Sequence, residues 1–223
     1  IDWKFLSETA AAWDIAVIHT CFNVAATIVL MPLNGMLVKL AYLFIPKEQT
    51  PQKVELLDER LLATPAVAVQ RAQKIAGEMA ADAAKAMHLA MGLTKKFDAA
   101  VMGQVMELED KTDRYEDALG TYLVKLSGMN LSVSDNRILN TLLYTVADLE
   151  RIGDYALNVA KAGLEMQEKT INFSEQAKAE LAVLEQAVND VIRRTVNAYV
   201  TFDFDQAIKV EPQEQVIDAL VRE

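Results

Sequence analysis

The sequence predicts an all-α protein in which an apolar, membrane-spanning helical segment precedes an acidic bundle of long helices. Three observations carry that prediction. Hydrophobic residues make up 52% of the chain but aromatics only 7%, which favours helices packed by aliphatic side chains. After Pro51 the only prolines are Pro65 and Pro212, and few glycines interrupt the rest, so the helices should be long. Between Asp14 and Lys39 lie 24 residues without a formal charge, enough to cross a hydrocarbon core of roughly 30 Å.

The uncharged run is the first element. A signal peptide would begin with a basic stretch, whereas Trp3, Trp13 and acidic residues stand ahead of this one. A buried helix of a water-soluble protein is the other alternative, because His19, Thr20, Asn23 and Thr27 make the run less apolar than a simple anchor. His19 and Asn23 are one helical turn apart, so they share a face and are candidates either for a transport pathway or for polar contacts between helices. Pro32, Asn34 and Gly35 interrupt the helix before a second apolar stretch at 36–45, and broken helices at membrane depth are typical of transporters. Lys39, Lys47 and Lys53 follow the run while Asp2, Glu8 and Asp14 precede it, which places the following part in the cytoplasm. One or two spans form no transport pathway, and Ile1 is not a natural start, so the chain reads as a fragment.

Pro46, Thr50 and Pro51 mark a linker. Helices are expected near 64–95, 97–127, 135–168, 174–200 and 203–223, with Ser134 or Asp135 and Ser174 as N-caps and breaks at Ser127-Gly128 and Asn172-Phe173-Ser174. In the second of these, Leu108, Tyr115 and Tyr122 interleave with Thr112, Leu119 and Leu126 to give a seven-residue apolar seam. In the third, the i+4 row Leu142, Val146, Glu150, Asp154, Asn158 turns from apolar to acidic, so its carboxylates should be only partly exposed.

Charge and composition exclude several functions. Residues 1–53 hold four acids and four bases, so the whole net charge of −10 falls on the helical part, which repels nucleic acid. Cys21 is the sole cysteine, so one chain builds neither a disulfide framework nor a thiolate metal site. No nucleophile-base pattern or Gly-rich phosphate loop is present, and His88 lies in an Ala/Met-rich helix, so no enzyme is expected.

The acids recur as Glu-x-x-x-Asp pairs. Two carboxylates one turn apart repel, and partial burial adds a desolvation cost that protons, basic partners or a cation must offset. Oxygen ligands suit hard divalent cations, and carboxylate-bound iron is built on helical bundles in the same way. Arg114 and Arg151 are alternative counter-charges. Spacing alone discriminates little, since 32 acids in 223 residues give about four or five such pairs by chance.

Longer strings are more specific. ELEDKTDRYEDAL at 107–119, DLERIGDYALNVAK at 148–161 and EPQEQVIDAL at 211–220 resemble the PhoU domain family, two tandem three-helix bundles with acidic motifs on their helices. IHTCFNVAATIVLMPLNGMLVKL, with LLDERLLATPAVAVQRA at 56–72, resembles the end of the membrane region and the linker of bacterial type II sodium-dependent phosphate cotransporters.

These resemblances imply a transporter region at 1–46, a linker at 47–63, a first PhoU-like bundle at 64–168 and a truncated second bundle at 174–223. They imply metal ligation at Glu109, Asp110 and Asp113, at Asp148, Glu150 and Asp154, and at Glu214 and Asp218, by iron or another divalent cation (Mn, Mg or Zn). The lack of an accompanying histidine suits iron better than zinc. Pro212 leaves the placement of the third motif open. The expected protein is a fragment of a sodium-dependent phosphate transporter in the bacterial inner membrane, with inorganic phosphate and Na+ as ligands of the intact protein and a cytoplasmic regulatory domain. The alternative is a membrane-anchored PhoU-type phosphate-signalling adaptor, bound to a signalling protein and without transport activity.

Overall fold

The computed structural model describes residues 13, 16–28 and 57–222, which belong to two separate compact units divided after Val54. In the first unit residues 16–28 are helical, with the Thr20 hydroxyl donating to the Ala16 carbonyl and that of Thr27 to the Asn23 carbonyl, both at 2.8 Å. Among the described residues no helix is long and apolar enough to cross a membrane. The rest of the uncharged run, the break at Pro32 to Gly35 and the second apolar stretch lie outside the described residues.

The second unit is entirely helical among its described residues. A 3-10 turn, Glu59–Ala63, leads into α1 (Pro65–Lys95), α2 (Ala99–Ser127), α3 (Val133–Glu168), α4 (Glu175–Thr201), the single turn α5 (Phe204–Ala207) and α6 (Val210–Arg222). The part of the expected linker that is described, from Leu57 onward, packs on the bundle, with Leu57, Leu61 and Leu62 against the core.

Local chemistry explains each boundary. Pro65 opens α1, where its missing N–H goes unused and its fixed φ suits the first turn. Asp98 caps α2 by accepting from the Ala100 and Val101 amides at 2.8 and 3.4 Å. The cap of α3 is Ser132, not the expected Ser134 or Asp135. Its hydroxyl oxygen accepts from the Asp135 amide at 3.1 Å while its O–H donates to the Asp135 carboxylate at 2.6 Å, so Asp135 stabilises the first turn from inside. Ser174 caps α4, accepting from Ala177.

The single helix expected over 203–223 is broken between Ala207 and Val210. In an unbroken helix the ring of Pro212 would collide with the carbonyl of Ile208, four residues back, so α6 restarts where Pro212 falls in its first turn.

Helices α1, α2 and α3 pack on one another as a three-helix bundle, and α1 also packs on α4. Its core falls into two clusters. The larger holds Ile75 and Met79 of α1, Tyr115, Leu119 and Leu123 of α2, and Leu139, Leu142 and Val146 of α3. The smaller holds Ala86, Ala90 and Leu93 of α1, Val105 of α2, and Ala156 and Ala160 of α3. The expected seam of α2 faces inward, with Thr112, Tyr115, Leu119, Tyr122 and Leu126 all buried. Each large aliphatic side chain buried here contributes about 1.5–3 kcal/mol of transfer free energy.

Beyond α3 packing is thinner. Helix α4 packs on α5 and α6, yet of these three only Ala198 is buried, while Val183, Phe204, Ile208 and Val216 are exposed.

Candidate metal centre

The acidic motifs of α2 and α3 fall between the two core clusters. On α2 the clusters are separated by the stretch holding Glu109 and Asp113, on α3 by that holding Glu150 and Asp154. Glu109 and Glu150 are half-buried there, while Asp113 and Asp154 are exposed, so Asp154 is more open than the row through Leu142 and Val146 leads one to expect.

At this level α2 and α3 come close. The fourth residue of each five-residue motif faces the other helix: Thr112 in Glu109 to Asp113, Gly153 in Glu150 to Asp154. A β-carbon built on Gly153 would lie 2.6 Å from the Thr112 hydroxyl oxygen. That approach brings oxygens of Glu109, Asp113 and Asp154 within 4.8 Å of one another. Oxygens on opposite sides of one cation, at about 2.0–2.6 Å from it, stand about 4–5 Å apart, so these three can share a single ion.

The electrostatics show the cost of that convergence. Glu109 is half-buried, and its carboxyl is pushed above its ordinary value by burial and then by Asp113, Asp110 and Asp154, with Lys161 pulling the other way. Asp113 is raised by burial and then by Asp154, Asp110 and Asp117, against Arg114. Glu150, half-buried, is raised by burial and then by Asp154 and Asp113, and lies within hydrogen-bonding reach of Asp154. Nearby cations thus leave the group under-compensated, which a divalent ion would correct. The donor set is all oxygen, which fits a hard cation such as Mg²⁺, Mn²⁺ or ferrous iron better than zinc. His88 serves elsewhere, its Nδ1 standing 3.0 Å from the Asn189 side chain of α4.

Glu150 and the remaining sequence-derived residues do not belong to the converging group itself. Asp110 is exposed and adds charge beside it. Asp148 is exposed and stands 4.0 Å from Arg151. Glu214 and Asp218 are exposed on α6, where Asp218 stands 3.4 Å from Arg222. His19 and Asn23 are exposed on the helix at 16–28. Gly153 does not stand out in the sequence: a glycine inside a helix costs about 1 kcal/mol against alanine, but Gly92, Gly103 and Gly120 lie in helices with open space around them, so residue type alone does not mark the close approach.

Comparison with known proteins places the same region. Residues 76–163 match the PhoU domain, a span that contains both converging motifs. The chain is 27% identical over 122 residues to the phosphate-specific transport system accessory protein PhoU homolog of Pseudomonas aeruginosa, covering 54% of this chain and 50% of that one. It is 28% identical over 141 residues to the phosphate-specific transport system accessory protein PhoU of Edwardsiella tarda, and 26% identical over 141 residues to that of Escherichia coli, covering in each case 61% of this chain and 53% of the relative. The chain thus spans about half the length of the curated relatives it matches. No solved structure is significantly similar to it. Residues 76–163 form a PhoU-like domain, and the whole described bundle is all-α.

Proposed function

We propose that this protein is a PhoU-type regulatory adaptor of a phosphate transport system, neither a permease nor an enzyme, whose α2–α3 carboxylates bind a divalent cation. The observation that carries the reading is the coincidence of the PhoU-matched span with the level at which Glu109, Asp113 and Asp154 converge. A bound cation would neutralise the cluster and tie α2 to α3. Glu109, Asp113 and Asp154 would be its ligands, Glu150 would hold Asp154 in place, and Lys161 and Arg114 would limit the excess negative charge. Iron, Mn²⁺ and Mg²⁺ suit the oxygen donors best. The bundle surface would then engage a phosphate-signalling protein.

The reading as part of a sodium-dependent phosphate transporter rests on the uncharged run at 15–38 and its resemblance to the cotransporter membrane region. The relatives named above are accessory proteins, which favours the adaptor. In both readings the run anchors the protein in the bacterial inner membrane with the acidic helices on the cytoplasmic side.

One experiment separates the two. The intact protein, expressed in cells lacking their own phosphate uptake, is expected to restore no sodium-dependent phosphate accumulation, while deletion of its gene in the native host is expected to deregulate uptake by the remaining transporters. Sodium-dependent accumulation would sink the adaptor reading in favour of the transporter.

A further inference from the structure

Thr112 is the one polar side chain that is fully buried among the described residues. Its hydroxyl donates to the Glu109 carbonyl of its own helix at 2.8 Å, so it needs no acceptor on α3 and can lie flush against it. Opposite is Gly153, also buried, where an added β-carbon would lie 2.6 Å from the Thr112 hydroxyl oxygen but 3.5 Å from its β-carbon. The first distance falls short of an ordinary contact by about 1 Å; the second is an ordinary contact. Thr112 directly precedes Asp113 and Gly153 directly precedes Asp154, so the two residues in contact stand at the same position of their motifs.

We infer that Gly153 is a positioning residue for the cation site: its missing side chain is the notch that admits the Thr112 hydroxyl and so sets how closely α2 and α3 approach where the carboxylates meet. The inference rests on the metal reading above. Residues one position away in sequence lie on the same rigid turn, so moving the helices apart at Thr112 and Gly153 moves Asp113 and Asp154 apart by a similar distance. A shift of about 1 Å is large against coordination bonds of roughly 2.0–2.6 Å. Because the misfit involves only the hydroxyl, it should vanish when that oxygen is removed.

The test compares the wild-type chain, Gly153→Ala, Thr112→Ala and the double variant by calorimetric titration with Mn²⁺ and by thermal unfolding in chelator. Gly153→Ala is expected to weaken Mn²⁺ binding tenfold or more and to lower the unfolding temperature. Thr112→Ala alone should leave binding within a few-fold of wild type, and the double variant should recover both properties relative to Gly153→Ala. Wild-type affinity in Gly153→Ala, or no recovery in the double variant, would overturn the inference. If the wild type binds no Mn²⁺ at millimolar concentration, the metal reading itself falls and the positioning role with it; the unfolding temperatures then report only whether the contact matters for packing.

Discussion

At the scale of single residues, the carboxylate group is a liability to the metal-free protein. Glu109, Asp113 and Glu150 are all held above their ordinary values, first by burial and then by one another and Asp154. The native state therefore binds more protons than the unfolded chain just above pH 4, and stability falls as the pH rises through that window. Above it the destabilisation is fully present; below it, with both states protonated, it is absent. Asp113→Asn removes a charge facing Glu109 and Asp117 on its own helix and Asp154 across the gap. At about 0.2–0.5 kcal/mol per like-charge neighbour, it should stabilise the chelator-treated protein at pH 7 by roughly 0.6–1.5 kcal/mol. Urea titrations of wild type and variant at pH 4 and pH 7 check this, and a loss of stability at pH 7 would contradict it. This cluster was only half legible beforehand. The row from Leu142 to Asn158 showed that Glu150 and Asp154 follow an apolar ridge, but not which acids of α2 they meet. That pairing depends on the register of two helices, and the close approach of Gly153 to Thr112 at this level is something no acidic spacing reveals.

At the scale of elements, what was legible was whatever is decided locally. The seam of α2 is buried as its period requires, and Ser174 caps α4. Ser132 and Ser134 are both good caps, and only the bond network around Asp135 selects the earlier one. The break before α6 was also written in the sequence, in the reach of Pro212 back to Ile208. Seam positions should carry most of the stability. Leu119, fully buried in the larger cluster, should cost about 2–5 kcal/mol when replaced by alanine. Val183, 56% exposed on α4, should cost less than about 0.5 kcal/mol by the same change. Equal shifts in denaturation midpoint for the two variants would show that the bundle core is not where the stability lies.

At the scale of the whole second unit, stability should be uneven. The bundle of α1, α2 and α3 has two apolar clusters to which all three helices contribute, whereas α4, α5 and α6 have a single buried residue among them, Ala198. Helix α4 is tied to α1 by scattered contacts, Val200 near Gly77, the His88–Asn189 pair and an ion pair between Lys95 and Glu185, and to α3 by the Tyr199 hydroxyl 3.1 Å from that of Thr145. Helix α6 has no fully buried residue. Regions with few buried apolar contacts open at lower free energy than the core, in cooperative segments. Amide exchange followed by mass spectrometry should therefore rank α6 fastest, α4 intermediate, and the inward faces of α1, α2 and α3 slowest. Adding Mn²⁺ should slow exchange chiefly in α2 and α3 around the two motifs, because a ligand that binds only the native state stabilises the segments holding it. Uniform protection across α1 to α6 would refute the ranking. Slowing confined to α6, where Glu214 and Asp218 lie, would move the cation to the third motif and away from α2 and α3.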